Sequence, residues 1–427
     1  MGVRQGCLLS PTLFSLYIND LETYLDGGVC VEGSGRIKLL AYADDIVLLA
    51  SHPASLQGMI RSLQQYCLRW NLRINLNKSK IMVFRNGGRP AKSERWYLET
   101  EEIEVVNEYR YLGIRLTPAL SMNKHVADAV DRARMGLNSI WRPLIDNGDT
   151  AYPTKLKIFN TVSRSILCYG AQVWGGEMLG QVEGFLRSFI RRLFRLPQYA
   201  PTAFLYAETG LLPIFLYTVK LHFDYIIRIL SLPDNRLPKI LAKQIVNKEI
   251  YWFKEIKRHI LQFNLDLSLN RNNIDRVELW RDGLRLVRRS ICDNIKRQYY
   301  TTLANSDSFP LHRELLFKSP NYLMDLSLPL DSMRWIIKCR GDLFNLNYKH
   351  FKQQDINCEL CSGTEPEDLF HFLATCPALN AVRKHYFDRE TLPSEMLLEY
   401  INGKDWAVLV NFCKEAYSLR ARIRGTW

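Results

Sequence analysis

The sequence predicts an α+β chain: a mixed part of strands and helices to about residue 116, a long helical part, and a small cysteine–histidine knuckle near the C-terminus. Three observations predict it. Residues 37–50 read I-K-L-L-A-Y-A-D-D-I-V-L-L-A, two apolar runs of strand length around a pair of aspartates. From Asn123 onward the apolar residues change to helical spacing and keep it over long distances. Cys358, Cys361, His371 and Cys376 stand at the spacing of a closed four-ligand metal site.

Composition bounds the rest. A chain of 427 residues with 47% hydrophobic and 24% charged residues is ordinary globular protein with room for several cores. Its 57 Lys and Arg against 44 Asp and Glu leave a net charge of +13, which favours a polyanionic partner. Ten cysteines are too sparse for a disulfide scaffold and suit a reducing intracellular compartment, cytoplasmic or nuclear. No apolar run reaches the length of a membrane span, so no membrane partner is expected. Nothing in the sequence sets an oligomeric state.

In chain order, residues 2–14 read G-V-R-Q-G-C-L-L-S-P-T-L-F. Gly6 permits close backbone approach, and Gln5 offers an amide beside it. Ser10 is placed as N-cap and Pro11 at the first helical position, with Leu13, Leu16, Tyr17 and Leu21 as an apolar stripe. Residues 37–41 and 46–50 form a buried hairpin with Asp44 and Asp45 at its tip. Adjacent carboxylates repel unless a cation sits between them, and magnesium is the natural one for hard oxygen ligands; the alternative is a plain surface turn.

Residues 55–71 make an amphipathic helix that buries Leu56, Met59, Ile60, Leu63, Tyr66 and Cys67. Residues 72–75 and 80–85 read as strands around a turn holding Asn77 and Lys78. Residues 92–108 look like an exposed loop with edge strands, and residues 109–116 like a strand pair turning at Gly113. In the helical part Val126, Val130, Ala133 and Leu137 share a face, and Trp141 to Pro143 stop that helix. A second helix covers residues 152–171.

Residues 185–196 read F-L-R-S-F-I-R-R-L-F-R-L. Leu186, Phe189, Ile190, Leu193 and Phe194 form the apolar face. Arg187, Arg191, Arg192 and Arg195 line the other, either as a solvated face or as phosphate contacts. A long apolar helix over residues 211–232, a linker at 233–238 and a basic helical stretch over 270–300 with Trp280, Tyr299 and Tyr300 follow.

Cys358-x2-Cys361-x9-His371-x4-Cys376 gives a Cys3His site for structural zinc, closed and with no open position for catalysis. Ser362-Gly363-Thr364 suits the turn of a knuckle, and His371 and Cys376 are placed on a helix beginning near Glu365. Such a knuckle reads as a local element that would melt on its own when the metal is removed.

These residues carry a resemblance. Tyr42-Ala43-Asp44-Asp45 resembles the metal-binding box of reverse transcriptases, with flanks most similar to those of non-LTR retrotransposons. Residues 2–14 are similar to the family's template-positioning motif, I-N-L-N-K-S-K at 74–80 to its lysine-bearing motif, and Tyr111-Leu112-Gly113 to its primer grip. Non-LTR enzymes also carry a similar C-terminal knuckle.

The resemblance implies RNA-directed DNA synthesis by two-metal nucleotidyl transfer on an RNA template and a DNA primer. Asp44 and Asp45 would hold magnesium, Lys78 would assist catalysis, and Gln5, Gly6, Tyr42, Tyr111, Leu112 and Gly113 would contact template or primer. The family's third carboxylate and its fingers lie upstream of the template-positioning motif. The chain is therefore expected to be the C-terminal part of such a polymerase, inactive by itself. The other reading is a non-catalytic nucleic-acid-binding remnant that uses the basic helices and the knuckle. The implied division is a partial palm at 1–118, a helical thumb at 119–235, a basic helical linker at 236–345, the knuckle at 346–390, and a C-terminal helix with a basic tail at 391–427.

Overall fold

Among the described residues, eight short strands form four separate two-stranded antiparallel hairpins, and helices make up most of the remainder. The structure, a computed structural model, describes residues 6–85, 87–88, 91, 94–317, 321–348, 356–361 and 363–423. By contact the chain divides into two units of two segments each, Met1–Val126 with Phe223–Leu284, and Ala127–His222 with Arg285–Trp427.

The first unit opens with α1 (Ser10–Tyr17). Ser10 is its first residue and not its cap: Leu9 holds the cap position, and the Ser10 amide already bonds the Cys7 carbonyl at 3.2 Å in a preceding turn. The expected stripe is also displaced. Leu13, Leu16 and Tyr17 are 51%, 67% and 42% exposed, and the core is reached only by Ile18, Leu21 and Leu25 further on.

Hairpins β1 (Val29–Val31) with β2 (Gly35–Ile37) and β3 (Leu39–Tyr42) with β4 (Asp45–Leu48) come next. Helix α2 (Pro53–Arg69) starts on a proline, whose missing N–H costs nothing at that position. It buries Met59, Ile60, Tyr66 and Cys67, as its spacing predicts. Leu21, Leu25, Met59 and Tyr66 form one core, against which Leu39, Ile46 and Leu48 of the β3–β4 hairpin pack.

A second core joins Ile60 and Ile81 to Trp96 and Ile103 of the hairpin β5 (Trp96–Leu98) and β6 (Glu101–Ile103). The strands expected at 72–75 and 80–85 do not form. Asn75 takes the amides of Lys78 and Ser79 in a tight turn, and Ile81 makes a single bridge to Val105. Hairpin β7 (Tyr109–Tyr111) and β8 (Ile114–Leu116) has the turn expected at Gly113.

The helical region begins with α3 (Asn123–Ile140), which buries Val126, Val130, Ala133 and Leu137 as expected. It runs on through a wide turn at Trp141–Ile145 where a stop was expected. Pro143 lacks the N–H that an ordinary helical turn needs there. The helix expected over 152–171 is shorter: α4 (Tyr152–Phe159) widens at Asn160–Arg164 and ends before Gly170, whose φ is +74°.

Then come α5 (Gly180–Phe194), α6 (Thr202–Thr209) and α7 (Phe215–Leu230). The first residue of α7, Phe215, donates its amide to the buried Glu183 carboxylate of α5 at 2.8 Å, which fixes where that helix starts. Next are α8 (Leu237–Asn247), α9 (Tyr251–Gln262), the long α10 (Val277–Ala304) and α11 (Leu330–Arg340). The chain closes with α12 (Asn380–Phe387), α13 (Ser394–Ile401) and α14 (Trp406–Ile423).

In the first unit, Trp280 packs with Phe253 at 5.8 Å between ring centres, and Gln244 of α8 donates to the Glu32 carbonyl beside β1 at 2.6 Å. In the second unit, Phe159 of α4 stacks on Phe189 of α5 at 4.2 Å, with Trp141 edge-on to Phe189. The Arg340 guanidinium grips the fully buried Glu208 carboxylate with two bonds of 2.6 and 3.1 Å.

Candidate active site and metal centre

The β3–β4 register runs from Leu39↔Leu48 to Tyr42↔Asp45, leaving Ala43 and Asp44 as a two-residue loop. Cross-strand partners share a face. Leu39, Ile46 and Leu48 therefore face α2, while Leu40, Tyr42, Val47 and Asp45 point the other way. Both aspartates are exposed, and Leu40 and Tyr42 are 41% and 67% exposed. The hairpin expected to be buried is thus covered on one side only, because a two-stranded sheet has a single face against α2.

Ala43 has φ +54°. Two-residue hairpin loops favour positive φ, and a side chain there costs about 1–2 kcal/mol. Ala43→Gly is expected to raise stability by up to ~1 kcal/mol after the extra chain entropy of glycine is deducted. Urea unfolding of the two forms checks this, and a loss of stability would contradict it.

Tyr111 lies near enough to Asp45 for that carboxylate to add to burial in pushing the tyrosine hydroxyl up in pKa. Two residues earlier on the same face of β7, the Tyr109 hydroxyl donates to the Lys78 carbonyl at 3.0 Å. One strand therefore fastens the lysine turn and brings Tyr111 within electrostatic reach of Asp45. The motif reading missed Tyr109, although the Tyr-x-Tyr alternation of β7 signals two tyrosines on one face.

Leu112 and Gly113 form the next two-residue loop with φ +47° and +80°. Gly6 is exposed at φ +83°, and Gln5 lies outside the described residues. Among the described residues, no third His, Cys, Asp or Glu joins Asp44 and Asp45 at ligand distance.

The ligand atoms of Cys358, Cys361, His371 and Cys376 all lie within 4.8 Å of one another. The Cys358 and Cys376 sulfurs are 3.8 Å apart, and Cys361 Sγ is 3.6 Å from His371 Nε2. Thiolates about 2.3 Å from a shared tetrahedral ion stand ~3.8 Å from each other, so the spacing fits that ion. The His371 Nδ1 meets Glu365 at 2.7 Å, leaving Nε2 for the metal, the usual arrangement of a histidine ligand.

The expected helix does not include Cys376. That cysteine follows a wide turn, His371–Thr375, and its amide bonds the His371 carbonyl five residues back at 2.7 Å. Five residues of regular α-helix would turn the pair about 140° apart; the wide turn brings them together. Ser362 lies outside the described residues.

The reverse transcriptase (RNA-dependent DNA polymerase) family matches residues 1–116. The match covers about a quarter of the chain. The matched segment contains the aspartate hairpin, the Lys78 turn and Tyr111, and the resemblance to reverse transcriptases is borne out at the level of the family.

Relatives extend the likeness. The chain is 25% identical over 210 residues to the RNA-directed DNA polymerase from mobile element jockey of Drosophila funebris, covering 47% of this chain and 22% of that protein. It is 28% identical over 180 residues to the probable RNA-directed DNA polymerase from transposon X-element of Drosophila melanogaster, covering 41% and 19%. It is 25% identical over 222 residues to the retrovirus-related Pol polyprotein from type-2 retrotransposable element R2DM of the same fly, covering 48% and 20%. The chain spans about a fifth of the length of these relatives. Since 210 aligned residues exceed the 116 of the reverse transcriptase segment, part of the helical region is shared too.

Beyond the reverse transcriptase segment, the four arginines of the α5 region are largely engaged within the fold. Arg191 is half-buried and donates to the Ala200 carbonyl at 2.9 Å. Arg192 lies 3.7 Å over the Trp141 ring and bonds Asn138. Arg195, in left-handed conformation just after α5, reaches Asp146 at 3.5 Å and is 59% exposed. Arg187 is half-buried, near enough to Glu183 to favour that carboxylate. Among the described residues no helix is long and apolar enough to cross a membrane.

Proposed function

We propose that the chain is part of an RNA-directed DNA polymerase of a non-LTR retrotransposon. Residues 1–118 form the rear of its palm, residues 119–235 the thumb and 236–345 a basic linker. The observation that carries this is the Asp44–Asp45 loop within the reverse transcriptase segment, with Tyr111 of the neighbouring hairpin beside Asp45.

Asp44 and Asp45 fit magnesium: two exposed carboxylates on one tight loop are the donors such an ion takes when substrate phosphates complete its shell. When bound, the ion neutralises the triphosphate and orients it. Asp44 and Asp45 hold it there. Tyr111, Leu112 and Gly113 position the primer end, Gly6 with Gln5 and Tyr42 face the template, and Lys78 lies on the turn that Tyr109 fastens. Zinc suits the Cys358, Cys361, His371 and Cys376 site, and its role there is structural.

Primer extension on an RNA template tests the reading. The 427-residue chain alone is expected to extend nothing, because two carboxylates without a third among the described residues do not hold both ions. Supplying an upstream palm segment with the third carboxylate in cis should give magnesium-dependent synthesis that Asp44→Asn abolishes. Extension that survives Asp44→Asn would refute the assignment.

A second reading, nucleic-acid binding without catalysis, is favoured by the +13 charge; of the four arginines, Arg191 is tied to the Ala200 carbonyl, while Arg187, Arg192 and Arg195 keep part of their surface open. Replacing Arg187, Arg192 and Arg195 by glutamine should flatten the slope of log affinity against log salt by about two units, on all sequences alike. An unchanged slope would make that face merely structural.

A further inference from the structure

A cleft of ≈820 Å³ opens in the second unit, and the reading above does not use it. Its floor is apolar, with Leu156 and Phe159 of α4, Leu186 of α5 and Ile214 just before α7. Five cations surround that floor: Arg164, Lys220, Arg285, Arg288 and Arg289. Asp293 is the one acid among the described lining residues, and it stands 3.8 Å from Arg289. Arg285, Arg288 and Arg289, with Cys292, fall at i, i+3, i+4 and i+7 on α10 and so share one side of it. Among the lining residues, the Arg164 guanidinium lies 4.2 Å from the centre of the Tyr217 ring, a cation–aromatic contact.

We propose that this cleft binds unpaired nucleotides of a nucleic-acid strand, with a base on the apolar floor beside Tyr217 and the adjoining phosphates on the arginines of α10. The chemistry selects that ligand. A simple anion would leave the apolar floor unused, and an uncharged apolar molecule would leave the cationic rim unused. A base joined to phosphates satisfies both surfaces, and the volume lies within the ~300–1,000 Å³ of small-ligand pockets. A duplex keeps its bases stacked inside and reaches only the rim. The proposal rests on the nucleic-acid reading above and adds to it a preference for single strands.

Two measurements test it. Fluorescence anisotropy with a fluorescein-labelled 15-nucleotide oligouridylate and with a blunt 15-base-pair RNA duplex compares wild type with Tyr217→Ala and with Arg285→Gln/Arg288→Gln. Both variants are expected to bind the single strand about tenfold more weakly and the duplex within about twofold of wild type. The second measurement needs no variant. Cys292 lines the cleft and is half-buried, so saturating oligouridylate should slow its alkylation by iodoacetamide at least about tenfold, read by peptide mass spectrometry.

If wild type binds neither probe, the nucleic-acid reading itself fails. If it binds both, but the variants lose them equally or not at all and Cys292 stays reactive, that reading stands and the cleft is not the site. Protection of Cys292 by an anionic lipid micelle and not by oligouridylate would assign the cleft to a different ligand and overturn the proposal.

Discussion

Stripping the metal from the purified chain, or replacing Cys376 with serine, is expected to destabilise the second unit as a whole and not the knuckle alone. The Cys3His site is embedded. Phe372, Leu373, Ala374, Cys376 and Leu379 are all fully buried. Phe372 packs against Phe344, and Phe344 against Tyr417 of α14. The buried Glu367 beside the knuckle receives Arg420 of the same helix through two bonds of 2.7 and 2.5 Å, and also takes the Asn347 amide.

Ligand sulfurs at 3.8 Å with no cation between them would repel as thiolates, so the local structure depends on the ion. Structural zinc contributes up to about 10 kcal/mol or more in isolated fingers; several kcal/mol is the expected loss here, where packing retains part of the fold. Metal analysis should find one zinc per chain. Hydrogen exchange after chelation should show deprotection spreading from the knuckle into α11 and α14. Protection lost in the knuckle alone, or no zinc at all, would defeat the prediction.

Arg340→Met is expected to cost about 3–5 kcal/mol. Glu208 is completely buried, and it also accepts the Tyr322 hydroxyl. Arg340 further donates to the carbonyls of Ile401 and Leu316 at 2.8 and 3.2 Å, so one guanidinium joins α6, α11 and the end of α13. Removing it leaves a carboxylate in an apolar interior with only a tyrosine for company. Arg340→Met combined with Glu208→Leu and Tyr322→Phe should therefore lose less than the sum of the single losses, since no charge is stranded. Urea unfolding of the set decides. A single-variant loss below about 1 kcal/mol would show the pair to be dispensable.

What could be read from the sequence depended on the range of the interaction. Helices α2, α3 and α5 were legible because each buries a full stripe at helical spacing, as Met59 with Tyr66, Val126 with Leu137, and Phe189 with Leu193 show. The Gly113 turn was legible because glycine tolerates its φ. The Cys3His group was legible because ligand chemistry restricts spacing. Most of the failures share a cause, a deciding partner far away in sequence; the turn at Asn75 is the local exception. Leu13 and Leu16 have helical spacing, but no described neighbour buries them. Residues 72–75 carry strand composition, yet Asn75 diverts the hydrogen bonds into a turn. Tyr109 joins the candidate site only because its hydroxyl finds a carbonyl thirty-one residues back. The arginines of α5 look like an open cationic face until Asp146, Asn138 and the Trp141 ring are placed against them.

The wide turn at His371–Thr375 also decides which inherited changes the site can absorb. Its five-residue hydrogen bond sets the interval between the last two ligands, and Phe372, Leu373 and Ala374 fill the interior within it. Gaining or losing one codon between His371 and Cys376 would swing one ligand to the far side of the turn. Exchanging the half-buried Thr375 for another small residue would leave both in place. Along a lineage of copies, this interval should hold its length more strictly than its letters.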